Sequence, residues 1–243
     1  MVTRSKARNE QLSQLWRDRF SPTPFDCASP IPGIDEAPEW RDWSEIDTTA
    51  DQRRIESTLE SLGVNGRKIL HIGVGNSKLA ERFSPQASYI LGTTICEAER
   101  RRGMSLNLPN YEVVLHNKYA RDRVRGSVTR YDFIIDNNPT TFCCCWSHLV
   151  VMMEHYAALL SPSGRILTDK VGLGWVTSDP SAGPHWRCSY EDWRAIGRAF
   201  NLEARQLNEF VYALTPRSRL RSAARYLKRW AKRLTPRLGL RAM

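Results

Sequence analysis

The sequence predicts an α/β chain built on a doubly wound, mostly parallel sheet, and three observations carry that reading. From Lys68 onward, short apolar runs alternate with segments of helical periodicity, the pattern of strands joined by crossover helices. The first run, Lys68–Ile72, leads into a glycine-rich turn at Gly73 and Gly75. Two closely spaced runs, "LEARQL" and "EFVYAL", close the pattern, and such a pair at the end of a parallel sheet predicts a terminal antiparallel hairpin.

Taken in order, Asn9–Phe20 reads as a short helix, and "SPTPFDCASPIPGIDEAP" follows as an extended arm because its prolines remove donors and fix φ. Ile55, Leu59 and Leu62 then recur at helical spacing, with Gly63 as the stop. Residues 1–66 therefore read as an N-terminal extension. In the core, residues 67–215, strands are expected at Lys68–Ile72, Tyr89–Ile95, Tyr111–Leu115, Tyr131–Asp136 and "RILTDK". Helices are expected at Ser77–Arg82, Glu97–Gly103 and Phe142–Leu160, with Ser161–Gly164 as a turn. A Gly/Pro/Trp-rich insertion spans Val171–Arg187, and "SYEDWRAIGRAF" opens with a capping signature at Ser189 before the closing hairpin.

Composition narrows the class. A chain of 243 residues, 41% apolar, can bury a sizeable core. No apolar run approaches the roughly 18 residues of a membrane span, and the charged N-terminus has no apolar h-region, so a cytoplasmic protein is expected. Of six cysteines (Cys27, Cys96, Cys143, Cys144, Cys145 and Cys188) three are adjacent. Neighbours in sequence do not readily pair, which points to a reduced compartment rather than a disulfide framework.

The formal net charge of +10 is unevenly placed: from Arg217 to Met243 there are ten Lys/Arg and no Asp/Glu. The body is balanced, which argues against a nucleic-acid substrate. In the tail, residues 216–243, Leu220, Ala223, Ala224, Leu227, Trp230, Ala231 and Leu234 recur at spacings of three and four among basic residues, and Pro236 ends the pattern. An amphipathic helix over 217–234 suits an anionic membrane surface, a nucleic-acid arm, or packing on the body or a partner; the aromatic-flanked stripe favours peripheral attachment to the inner face of a membrane.

The order of motifs from residue 66 to about 215 resembles the class I S-adenosylmethionine-dependent methyltransferase superfamily. "KILHIGVGNSKLA" is similar to its first motif, "YILGTTICEAE" to its second strand and strand end, "YEVVLHNKY" to the third, "YDFIIDNNP" to the fourth, and "LLSPSGRILTDK" to the helix-turn-strand that follows. The resemblance implies a Rossmann-like, seven-stranded sheet with a terminal antiparallel pair, S-adenosyl-L-methionine as cofactor, and methyl transfer. It also marks departures. His71 stands where the family usually carries an acid, Ser77 where it has a third glycine, Thr94 near its ribose-binding acid and Asn117 near its adenine-binding acid.

Neutral groups can still bind hydroxyls and an amine, more weakly than charged ones. The cofactor-binding set expected on this basis is His71, Gly73, Gly75, Asn76, Ser77, Thr94, Glu97, Asn117, Asp136 and Asn137. Glu97 enters because it lies 22 residues after Gly75, near the ~20-residue spacing of ribose-binding acids in dinucleotide sites; Glu97 and Glu99 also simply suit a helix N-terminus. Asn76 and Ser77 suit a helix cap and could meet a carboxylate. His71 could accept one hydrogen bond or be buried in the sheet.

Ligands of open α/β sheets bind beyond the carboxyl ends of the strands, which here carry Asn117-Lys118-Tyr119, Asp136-Asn137-Asn138-Pro139 and Asp169-Lys170. Methyl transfer needs an aligned acceptor and, for oxygen, usually a base. Asp136 and Asp169 are the first candidates and His148 the third, although Asp136 could equally cap its loop. Cys145 and His148 lie three apart, yet a structural zinc site needs about four ligands with recognisable second pairs. No metal is therefore expected, and the triple cysteine reads as small apolar packing. The insertion, with Gly172, Gly174 and Gly183 for mobility and Trp175, His185 and Trp186 for area, reads as a lid or an ordered loop, and the arm around Trp40 and Trp43 as another cover.

These readings combine into a methyltransferase acting on a small molecule or glycan intermediate. An aminopropyl transferase on the same fold and a cofactor-free binding or scaffold protein are the alternatives.

Overall fold

A computed structural model describes residues 2–21, 23–27, 43–122, 124, 130–141, 143–175 and 186–217. The expectations for Trp40, Phe142, Gly183, His185 and the amphipathic tail beyond Arg217 lie outside the described residues. Seven strands form one sheet: β1 (Lys68–Ile72), β2 (Tyr89–Thr94), β3 (Tyr111–Leu115), β4 (Tyr131–Asp136), β5 (Leu160–Asp169), β6 (Leu202–Gln206) and β7 (Val211–Pro216). Their order is β3-β2-β1-β4-β5-β7-β6. The first five run parallel, and β7 enters antiparallel between β5 and β6, as the closing pair of runs predicts.

Alternation along each strand explains why helices cover both faces. Leu70, Leu91, Ile134 and Ile166 point into one apolar cluster, while Ile69, Ile90, Phe133 and Leu167 point into another. The second cluster is closed by α2 (Ala50–Leu62), through Ile55 and Leu59, and by α3 (Lys78–Phe83) through Leu79 and Phe83. The helix α4 (Glu97–Ser105) packs at β2 and β3.

The first cluster takes α5 (Trp146–Leu159), through Trp146, Met152 and Tyr156, and α7 (Tyr190–Ala199), through Trp193 and Ile196. The capping box expected at Ser189 is present: its side chain accepts from Asp192 N, and the Asp192 carboxylate accepts from Ser189 N. The helix α6 (Lys170–Gly174) leaves the end of β5.

Several boundaries differ from expectation. The first helix is longer: α1 spans Val2–Leu15 and continues as a π turn over Trp16–Phe20. Leu12 and Phe20 enter the same cluster as Met152 and Trp193, so tertiary packing forms this segment, which lacks a strong apolar stripe. The helix expected from Phe142 starts only at Trp146, because Cys145 is extended at φ −159°, ψ 166°. There the arm supplies the caps, with Trp146 N donating to Pro24 O (2.9 Å) and Ser147 N to Phe25 O (3.0 Å). The turn expected at Ser161–Gly164 belongs to β5, which begins at Leu160. Among the described residues, no helix is long and apolar enough to cross a membrane.

Candidate functional site

The order reverses between β1 and β4, so the carboxyl ends of β2, β1 and β4 meet at the switch point where open α/β sheets bind ligands. The turn after β1 is built by two left-handed glycines, Gly73 at φ +72° and Gly75 at φ +50°, a region that costs glycine little. A Cβ placed on Gly73 would meet nothing within 4 Å, so its backbone faces open space. Ser77, standing at the family's third glycine, is itself left-handed at φ +61°. Its hydroxyl is fully buried and shares a 2.9 Å hydrogen bond with the Tyr111 hydroxyl. The side chain turns toward β3 instead of capping α3.

At the end of β2 the acid is Glu99. It is 1% exposed and accepts a short hydrogen bond from the Thr94 hydroxyl, whose oxygen in turn accepts from Cys96 N at 3.0 Å. Glu97 is half-buried at the rim and forms a two-pronged ion pair with Arg100 at 2.6 and 2.7 Å. Of the two acids, Glu99 is the one held against the end of β2, and Glu97 faces the rim. Cys96, Glu99 and Gly103 are buried at i, i+3 and i+7, a stripe that spacing from the glycine turn does not reveal.

The stretch just before α2 crosses this turn. Asn76 donates from Nδ2 to Ile46 O (2.7 Å) and to Thr48 Oγ1 (3.1 Å), and its Oδ1 accepts from Lys78 N at 3.1 Å. A Cβ on Gly75 would lie 3.5 Å from Trp43 Cβ, and Trp43 N donates to Glu99 Oε1 at 3.3 Å. Trp43 is thus a cover over the glycine turn, in keeping with one of the two expected lids. The other is placed differently. Gly172 is where the backbone closes on Asn137, whose carbonyl oxygen would lie 2.3 Å from an added Cβ. Trp186 is buried beside Phe20 at 5.9 Å between ring centroids, while Trp175 is exposed.

The carboxylates named as bases are both engaged. Asp136, 2% exposed, accepts from Lys118 Nζ (3.0 and 3.1 Å), the Tyr156 hydroxyl (2.7 Å) and Asn138 N (3.2 Å). Burial and the Asp136 charge push the Tyr156 hydroxyl well above the usual tyrosine range, so it stays a donor. Asp169 is fully buried and receives Arg54 Nε and Nη2 at 2.8 Å each, while Val171 N donates to Oδ1 at 2.8 Å. That carboxylate fastens α2 to β5 and caps α6. Both of its oxygens accept hydrogen bonds from the protein.

His148 is not joined to either carboxylate. Its Nδ1 lies 2.9 Å from Cys144 Sγ, 3.2 Å from Cys145 Sγ and 3.5 Å from Cys27 Sγ. Asn117 closes a local turn, its Oδ1 accepting from Tyr119 N at 3.0 Å, and Asn137 donates to Asp51 Oδ2 at 2.6 Å. His71 is buried within β1, and burial lowers its pKa to about 4, so the ring is neutral at pH 7.

Tested against S-adenosyl-L-methionine, the donor set fits. Gly73 is open above its backbone, Glu99 puts an acid at the end of β2, and three buried polar atoms at the strand ends lack a hydrogen-bond partner: Thr93 Oγ1 on β2, His71 Nδ1 on β1 and Asn137 Oδ1 after β4. Buried polar atoms are normally satisfied, but Asn137 Oδ1 packs against Gly172, and by strand alternation His71 and Thr93 face opposite sides of the sheet, so the glycine turn and Glu99 carry the fit.

No family model matches the chain, and no curated protein matches it by sequence. Its fold is similar to solved structures. The CcbJ methyltransferase from Streptomyces caelestis superposes with a TM-score of 0.54 at 15% identity, covering 77% of this chain and 98% of that one. The partner protein in the Haloferax volcanii Trm112 methyltransferase-activator complex gives 0.51 at 10% identity over 70% and 72%. DesVI from Streptomyces venezuelae gives 0.50 at 13% over 72% and 92%. With strand order, terminal antiparallel pair and glycine turn in agreement, the chain has the fold of the class I S-adenosylmethionine-dependent methyltransferases.

Proposed function

We propose that the protein is an S-adenosyl-L-methionine-dependent methyltransferase acting on a small molecule or glycan intermediate. The observation that carries this reading is the buried Glu99–Thr94 pair beside a left-handed glycine turn that is open at Gly73 and covered by Trp43 at Gly75. The neighbours' fold supports it. Bound there, the cofactor supplies an electrophilic methyl group on a sulfonium. Glu99 is the acid assigned to the ribose hydroxyls once Trp43, which donates to it, is displaced, and the open backbone of Gly73 permits close approach of the amino-acid end.

The Lys118–Asp136–Tyr156 network holds the loop after β4 in place, giving that side of the crevice a fixed wall. Asp136 acts here as a positioning residue, since its charge is balanced by Lys118. The preference for a small acceptor over a nucleic acid rests on the balanced charge of the chain before Arg217.

Isothermal titration with S-adenosylmethionine and its demethylated product tests the reading. The expected result is one site per chain. Glu99→Gln should weaken it by about tenfold to a hundredfold, the worth of a charge-assisted hydrogen bond of roughly 1.5–3 kcal/mol. Glu97→Gln should leave it unchanged. A folded protein that binds neither ligand would support the cofactor-free alternative, and a loss confined to Glu97→Gln would move the acid to the rim.

A further inference from the structure

The thiols at the start of α5 do not pack as simple apolar groups. Cys143 does: it is 2% exposed, and its thiol donates to Cys145 O. Cys144, Cys145 and His148 instead converge on Cys27, which the arm brings from more than a hundred residues away. One donor atom from each of the four lies within 4.8 Å of every other. Cys27 Sγ and Cys144 Sγ are 3.3 Å apart, and His148 Nδ1 lies 2.9 to 3.5 Å from all three sulfurs.

A tetrahedron with metal–sulfur bonds of about 2.3 Å and a metal–nitrogen bond of about 2.0–2.1 Å has edges of roughly 3.8 Å between sulfurs and roughly 3.5 Å from sulfur to nitrogen. The observed separations match those edges after small side-chain adjustment. The backbone is already fixed around them. Trp146 N and Ser147 N donate to Pro24 O and Phe25 O at 2.9 and 3.0 Å, and Ser147 Oγ donates to Phe25 O at 2.9 Å. Phe20 stacks on Trp146 with centroids 5.2 Å apart.

We propose that Cys27, Cys144, Cys145 and His148 form a closed Cys3His zinc site that fastens the N-terminal arm to the first turn of α5. Three thiolates and one imidazole, the only candidate ligands grouped there among the described residues, select zinc among the common divalent ions, and a four-protein-ligand site is structural rather than catalytic. A Cys27–Cys144 disulfide would use two of the four donors and leave His148 and Cys145 aimed at a bond they cannot join. The zinc ion binds through the three sulfurs and Nδ1, with the thiol protons released to solvent. This departs from the sequence reading, which counts ligands only near Cys145 and cannot see Cys27.

The test uses the full chain, purified under reducing conditions without chelator, and measures metal content by mass spectrometry. One zinc per chain is expected, and exchange for cobalt should give the intense visible absorption of a tetrahedral thiolate site. Cys27→Ser, in the arm outside the main core, and Cys145→Ser should each lose the metal in competition with a chelator. Cys143→Ser, in the same triple but outside the four donors, should keep it, with circular dichroism checking that all variants are folded. Wild-type protein without stoichiometric zinc, retention of zinc by folded Cys27→Ser, or a Cys27–Cys144 disulfide found by alkylation and peptide mapping in zinc-supplemented protein would each overturn the proposal. None of these readouts depends on cofactor binding.

Discussion

The Arg54–Asp169 pair separates a structural role from a catalytic one by stability alone. Asp169 has no exposed side-chain surface, whereas Arg54 keeps 29% of its own. Two N–H···O bonds of 2.8 Å join them, and the guanidinium also lies 4.5 Å from the Phe210 ring centroid. Arg54→Met keeps the stem packed but leaves a buried carboxylate with Val171 N as its remaining named donor, so a loss of about 3–4 kcal/mol is expected. Asp169→Asn preserves shape and the acceptor for Val171 N, and leaves a cation that water still reaches; about 2 kcal/mol should be lost. If both act on one pair, the double variant should lose only about 3–4 kcal/mol, a coupling near 2 kcal/mol. Urea unfolding at pH 7 measures all four proteins, with unchanged slopes showing that the midpoints report stability. A coupling below about 0.5 kcal/mol, or an Asp169→Asn protein of wild-type stability that has lost methyl transfer, would refute the argument and return Asp169 to the role of base.

Two further outcomes follow from buried polar groups. Because burial holds the His71 pKa at about 4, below the ordinary ~6.5 of the unfolded chain, the unfolded state takes the proton first as pH falls. The contribution is complete above the unfolded pKa and is lost between about pH 6.5 and 4, up to roughly 3 kcal/mol. His116, lowered by burial to about 4 as well, titrates in the same window. His71→Val should therefore flatten the pH dependence of unfolding free energy by about one proton, and an unaltered slope would show that His71 is hydrated in the fold. At the glycine turn, Ser77→Gly and Tyr111→Phe should each cost about 1–2 kcal/mol by stranding a buried hydroxyl, while the double variant should regain most of it, since both partners are gone and the left-handed backbone suits glycine. Thermal unfolding decides this; losses that simply add would mean the two hydroxyls do not share the bond.

Strands were the most legible part of the sequence. β1, β3 and β4 match expectation end to end because each is an apolar run with polar or glycine residues at its borders. Helix limits were less so, and the reason is visible at α5: Cys143 and Cys144 are apolar enough to extend a helical pattern, but the arm's carbonyls at Pro24 and Phe25 set where the helix begins. The same non-locality hid the partners of site residues. Asp169 at the end of β5 is a good base on position alone, and only the fold brings Arg54 to it. Glu97 stands out by distance along the chain, while the fold buries Cys96, Glu99 and Gly103 as one stripe and leaves Glu97 at the rim. For Ser77 the residue type gave no sign that the backbone there is left-handed.

The capping of α5 by the arm also bears on how the chain closes on itself. Ser147 Oγ and Phe25 O are 122 residues apart in sequence. Relative to a cap supplied from about five residues away, closing that loop costs roughly 3 kcal/mol more in chain entropy, since the cost grows only with the logarithm of length. It is spent once, and Leu12, Phe20 and the two backbone caps draw on the same closure. During synthesis the arm leaves the ribosome long before the helix it caps, so the acceptors wait for their donors. The beginning of the chain is thus fastened to its middle, and one closure of the chain serves both the caps of α5 and the packing of Leu12 and Phe20.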